Sequence, residues 1–108
     1  MTSVRERLER RREELRQRAA MVRADLTRQR EPLSADFAEQ AVQRENDDVL
    51  EAIKRSADEE IAQIGRALRR LDEGTYGICT RCHGEIEPSR LEAVPHAERC
   101  SRCADRAT

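Results

Sequence analysis

Four cysteines in the last third of this 108-residue chain restrict its fold more than any other feature. Cys79-Thr-Arg-Cys82 and Cys100-Ser-Arg-Cys103 form the pattern C-x2-C-x17-C-x2-C. A C-x2-C turn aims two sulfurs at one metal, and two such turns complete a tetrahedron. Two disulfides would need an oxidising compartment, and the first residues carry no hydrophobic secretion segment. A redox C-x-x-C belongs in a βαβ setting, of which the sequence has no trace. One structural Zn2+ on Cys79, Cys82, Cys100 and Cys103 is therefore expected, and a closed thiolate set leaves no coordination position for catalysis. His83 and His96 are bystanders on this reading, because four thiolates already satisfy the metal. Arg81, Arg99 and Arg102 stand close in sequence to offset the negative charge of the site. Tyr76, Ile78, Ile86, Leu91 and Val94 are the expected core of the finger, with Pro88 and Pro95 shaping its turns. Ser89-Arg-Leu-Glu92 is expected to cap a short helix between the cysteine pairs. So little apolar surface implies a finger that folds only with its metal.

The rest of the chain reads as helix. Of its 108 residues, 58 are Ala, Glu, Lys, Leu or Arg, while charged residues make up 40% and aromatic ones 2%. That excludes a β-sandwich or an α/β enzyme. Met1, Leu8, Leu15 and Val22 recur every seven residues, flanked by Val4, Ala19 and Leu26, which is the narrow stripe of a helix that meets one other helix. Arg11 and Arg18 interrupt the stripe and predict a partly wet seam. Pro32 ends the segment. A second stripe runs through Val42, Val49, Ile53, Ala57, Ile61, Ile64, Leu68 and Leu71, with Asn46 as a polar seam residue and Gly74 as the C-terminal cap. Gly65 interrupts this helix without a reason visible in the sequence. Helices of roughly 28 and 36 residues would reach about 42 and 54 Å. The short connection at 32–35 forces them antiparallel. The predicted fold is mainly α: a long antiparallel coiled-coil hairpin over residues 1–73, its tip near 32–41, followed by a small four-cysteine zinc finger over 74–108.

The formal charge is −1, but it is unevenly spread. Residues 1–31 hold 10 basic and 6 acidic groups, residues 32–62 hold 3 and 9, and residues 63–108 hold 8 and 7. Two helices of opposite sign attract each other side by side. The acidic half speaks against nucleic acid as the main partner. The longest apolar run, Ala19-Ala20-Met21-Val22, is far short of a membrane span. A cytoplasmic protein without membrane association is the expectation.

From Leu71 onward the sequence LDEGTYGICTRCHGEIEPSRLEAVPHAERCSRC resembles the DksA/TraR C4-type zinc-finger family. The G-x-Y-G-x-C approach, the cysteine spacing and Arg90-Leu-Glu-Ala-Val-Pro95 carry the likeness, and the hairpin of residues 1–73 is similar to that family's coiled coil. The resemblance implies a non-enzymatic transcription regulator that binds RNA polymerase directly and inserts its hairpin into the secondary channel. The family's D-x-x-D-x-A tip pattern is met by Asp36-Phe-Ala-Glu39-Gln-Ala41, with Glu in the second acidic place. Asp36, Glu39 and Ala41 are thus the implied partner-binding tip. An acidic residue followed three positions later by Glu also reads as a variant capping box, and capping would hold both carboxylates rigid. Basic positions through which the family binds the alarmone ppGpp fall on Gln63, Val94 and Ala104, which predicts weak or no ppGpp binding. No direct sequence-specific DNA binding is expected, and entry into a narrow pore favours a monomer. The alternatives are Gre-like stimulation of transcript cleavage by Asp36 and Glu39, a nucleic-acid-binding zinc ribbon using Arg81, Arg90, Arg99, Arg102 and Arg106, and a helical adaptor for another complex.

Overall fold

The computed structural model describes residues 2–29 and 37–104, and side-chain placement outside 28–43. Four helices follow in order: α1 (Val4–Gln29), α2 (Phe37–Glu73), α3 (Pro88–Ala93) and α4 (Ser101–Ala104). The first two are 26 and 37 residues long, close to the lengths expected from the apolar stripes. Among the described residues the one β feature is an isolated bridge between Ile78 and Glu85. The molecule measures 57 × 31 × 20 Å, the proportions of a rod with a foot.

Local chemistry sets the helix ends. Ser3 opens α1, its Oγ accepting the Glu6 amide at 3.1 Å, so a free first-turn donor is satisfied. Gly74, at φ +78, closes α2. The Thr75 amide donates to the Arg70 carbonyl at 2.9 Å and the Gly74 amide to Leu71, the paired bonds of a Schellman cap.

α1 and α2 run antiparallel, because Arg5 pairs with Asp72 while Arg11, further along α1, pairs with Glu60, further back on α2. Their seam buries Leu8, Leu15 and Ala19 against Ala57, Ile64, Ala67 and Leu68, with Val4, Ile61, Leu71 and Tyr76 packed around them. Val22 and Leu26 are also buried. Arg11, read from the sequence as an interruption, lies at the seam edge with its Nε 2.7 Å from the Glu60 carboxylate.

The distal half of α2 differs from the expected stripe. Val49 is 58% exposed and Ile53 39%, and Asn46 is exposed too, so none of the three fills the seam. Half-buried Asp47, Leu50 and Lys54 continue instead the spacing of Ala57, Ile61, Ile64 and Leu68. The physical reason is pitch. A seam between two helices repeats every 3.5 residues, whereas the apolar residues above Ala57 follow a different phase and rotate out of contact. Val42 and the expected tip, including Asp36, lie outside the described side chains. Glu39 and Ala41 belong by backbone to the first two turns of α2.

Candidate metal centre and its junction with the hairpin

The two C-x2-C turns approach each other below the last turn of α2. The first is held by the Cys79 amide donating to the Gly84 carbonyl at 2.7 Å and the His83 amide to the Cys79 carbonyl at 3.0 Å. His83 takes φ +62, a left-handed conformation that costs a non-glycine residue about 1–2 kcal/mol. The second turn enters α4. There the Glu87 carboxylate accepts both the Ser101 amide, at 3.1 Å, and the Ser101 hydroxyl, at 3.0 Å. α3 starts on Pro88 and has no side-chain cap, so Ser89 does not play the expected capping role. Pro88 makes a cap less necessary, since its missing N–H is one of the unpaired donors of a helix start.

The four Sγ atoms lie within 4.8 Å of one another, and Cys82 Sγ is 3.8 Å from Cys100 Sγ. A tetrahedron with Zn–S bonds of about 2.3 Å has edges of about 3.8 Å, so the donor set fits zinc. Cys79, Cys100 and Cys103 are buried and Cys82 is exposed. Ile86 and Leu91 pack against the sulfurs. The thiols differ in acidity. The Cys82 amide aimed at its sulfur draws the Cys79 thiol down to about 5. Burial and the neighbouring sulfurs push Cys103 up to about 12. The knot releases its first proton readily and holds its last, which a divalent cation would displace on binding. Of the three arginines expected to offset this charge, Arg102 has its guanidinium within hydrogen-bonding reach of Cys100, which raises its own pKa. His83 is exposed and His96 lies at the hairpin, so the close donor set consists of the four cysteines alone among the described residues.

Three contacts fasten the finger to the hairpin base. Tyr76, expected in the finger core, packs against the hairpin core and donates its hydroxyl to the Pro95 carbonyl at 2.9 Å. Arg7 donates to the Glu92 carbonyl at 2.7 Å. Glu98 accepts from Arg66 Nε and stands 3.6 Å from Arg70 Nη1, while its backbone carbonyl accepts the Thr80 amide at 2.9 Å. The sequence reading missed Glu98, Arg66 and Arg70. A single acidic residue two places before Cys100 gives no sign in the sequence that it faces α2.

Gln63, Val94 and Ala104, scattered in sequence, line one cleft of about 340 Å3 together with Arg90, His96 and Arg99. Arg90 Nε is engaged by the Arg99 carbonyl at 2.8 Å. Glu98 also lines the cleft and adds a negative charge to it.

A two-helix rod closed at its base by a four-cysteine knot defines a mainly helical zinc-finger protein with an extended hairpin arm. The chain belongs to the DksA/TraR C4-type zinc-finger family: residues 4–71 match the DnaK suppressor protein-like N-terminal domain, and residues 74–108 the prokaryotic dksA/traR C4-type zinc finger. This is a family of transcription regulators rather than enzymes. The solved structure of transcription factor DksA2 from Pseudomonas aeruginosa is similar, with a TM-score of 0.80 at 28% identity, covering 95% of this chain and 78% of that one. An uncharacterised protein of Aquifex aeolicus is 44% identical over 45 residues, covering 42% of this chain and 31% of the relative. General stress protein 16O of Bacillus subtilis is 46% identical over 37 residues, covering 34% and 23%. The chain thus matches about a third or less of the length of these two curated relatives. No described helix is long and apolar enough to cross a membrane.

Proposed function

We propose that this protein regulates transcription by binding RNA polymerase directly, its hairpin entering the secondary channel and carrying Asp36, Glu39 and Ala41 toward the catalytic centre. The observation that carries the reading is the combined family match of hairpin and finger. Its support in geometry is reach. Glu39 lies at the start of a 37-residue helix whose last turn abuts the finger, 34 residues and about 51 Å away along the axis. A finger at the channel rim and an acidic tip deep inside are compatible with that length. Carboxylates near a catalytic Mg2+ alter the local field without joining the chemistry. The protein acts as a monomer in the cytoplasm, without sequence-specific DNA contact. Finger arginines interleaved with Glu85, Glu87, Glu92 and Glu98 do not form the net basic face that phosphate binding needs.

The zinc is structural. ppGpp binds weakly or not at all, because Gln63, Val94 and Ala104 put no basic side chain at the positions the family uses, and Arg90 in the same cleft already donates to the Arg99 carbonyl. Tight ppGpp binding to the polymerase complex, lost on changing Gln63 and Val94, would refute this.

The test of the main reading is the double variant Asp36→Asn/Glu39→Gln. It should retain polymerase affinity and lose its effect on promoters with short-lived open complexes, where a fixed energetic push shifts a marginal equilibrium most. Unchanged regulation by the variant rules out the tip mechanism. Shortened transcripts in backtracked complexes would mark the tip as a Gre-like cleavage stimulator, holding a second Mg2+ with the same two carboxylates.

A further inference from the structure

Hairpin and finger are joined by a link that leaves their angle open. The link, Gly74-Thr-Tyr-Gly77, begins and ends on glycines in the left-handed region, at φ +78 and +87. A Cβ at Gly74 would meet nothing within 4 Å, so no neighbouring atom pins the backbone there. The angle is therefore set by contacts across the junction. On the α1 side, Arg7 reaches the Glu92 carbonyl through a single nitrogen, a bond about which both groups can turn. The α2 side is built differently. Arg66 Nε and Nη2 grip the two oxygens of the Glu98 carboxylate, a fork that fixes orientation as well as distance. Arg70, one turn further along α2 and only 13% exposed, holds its Nη1 3.6 Å from the same carboxylate. Glu98 is in turn tied to both cysteine pairs. Its carbonyl accepts the amide of Thr80, which follows Cys79, and it stands two residues before Cys100.

An exposed ion pair ordinarily adds little to stability, and the Arg66 side chain is 47% exposed. Its leverage is another matter. From the junction to Glu39, α2 is about 51 Å long. On that length a swing of about 10° at the base moves the far end by about 9 Å, more than a glutamate side chain can span. A pair too weak to matter for folding can thus decide where the hairpin points.

We propose that Arg66 and Glu98 are positioning residues: their fork sets the angle between finger and hairpin, and with it the place to which the hairpin carries its acidic tip. The inference rests on the reading that the hairpin enters the polymerase, and it adds the residues that aim it. The pair acts through the shaft, within the isolated molecule, and not by touching the polymerase.

The experiment takes two readouts on the zinc-loaded full chain. Bioorthogonal fluorophores at Glu59 on α2 and Ser89 on α3, both exposed, report the distance between hairpin and finger in the isolated protein. The effect on promoters with short-lived open complexes reports the aim, measured beside affinity for purified RNA polymerase. Arg66→Gln should broaden the distance distribution and cut the promoter effect at least about fivefold, with affinity kept within about threefold. Arg66→Lys keeps the charge but not the fork, and should fall between that variant and wild type. Glu98→Asp keeps a carboxylate for Arg70 but shortens the strut by a methylene, and should shift the mean distance. Zinc content should match wild type in all three, and if Arg66→Gln loses metal the other two decide. An unchanged distance distribution in the variants overturns this inference alone, and a lost promoter effect at unchanged distance would mark the pair as a polymerase contact instead. A broadened distribution with an undiminished promoter effect overturns it too. Wild-type failure to bind polymerase overturns it together with the reading beneath it.

Discussion

Glu98 joins the two halves of the molecule through both of its ends, the carboxylate to Arg66 on α2 and the carbonyl to Thr80 beside the first cysteine pair. Near it, burial holds the His96 imidazole below its ordinary 6.5, with Glu60 pulling it up, Arg11 down and Glu98 up. Glu60 is held below its ordinary carboxylate value chiefly by the hydrogen bond from Arg11. Both shifts act in one direction. A group whose folded pKa is depressed adds stability that is present above its unfolded value and lost as pH falls through the folded one. Stability of the zinc-loaded protein should therefore start to decline below about pH 6.5. Urea unfolding at a series of pH values should show that His96→Gln flattens this upper part, and a variant with an unaltered profile would contradict the assignment. His83 offers a second test. Replacing it by Gly removes the cost of φ +62 and should raise stability by up to about 1 kcal/mol in thermal unfolding. The sequence hid this strained backbone, because a left-handed turn is ordinarily taken by glycine, and here the glycine is the next residue, Gly84.

At the scale of elements, the hairpin was legible because its stripes are long. Leu8, Leu15 and Val22 on α1, and Ile64 and Leu68 on α2, are buried as their periodicity implied. What could not be read was the phase change at Ala57, since an apolar residue at helical spacing looks the same in a seam as on a free face. Tyr76 was misassigned for a related reason: its place in the chain is in the finger approach, while its ring packs on the hairpin. Gly65 is the clearest element-level prediction. A Cβ there would meet nothing within 4 Å, so Gly65→Ala should stabilise α2 by about 0.5–1 kcal/mol, seen as a higher melting temperature with unchanged zinc content. A lower melting temperature would mean that the helix backbone there is not as open as described.

At the scale of the molecule, the buried apolar clusters among the described residues are two, one along the hairpin seam and one around the cysteines. Zinc binding should couple directly to folding of the second and only indirectly, through the contacts between them, to the first. A strong chelator should therefore unfold the finger and lower the melting temperature of the hairpin, which loses its bonds to Pro95, Glu92 and Glu98, while most of the helical circular dichroism survives at low temperature. Complete loss of that signal would show a single cooperative unit instead. The four-cysteine centre was the most legible site of all, since its chemistry is written in spacing, whereas the struts around it depend on contacts 32 residues apart, such as Arg66 to Glu98. Among the described residues the finger lies against the flank of the hairpin base, where Pro95 and His96 share a cleft with Arg7, Arg11 and Glu60 and Glu98 pairs with Arg66. A plain rod could turn freely about its long axis inside a socket. This one carries a lug at its base, so that on the insertion proposed above it would seat, like a keyed shaft, at a single roll angle, the same flank meeting the same wall each time.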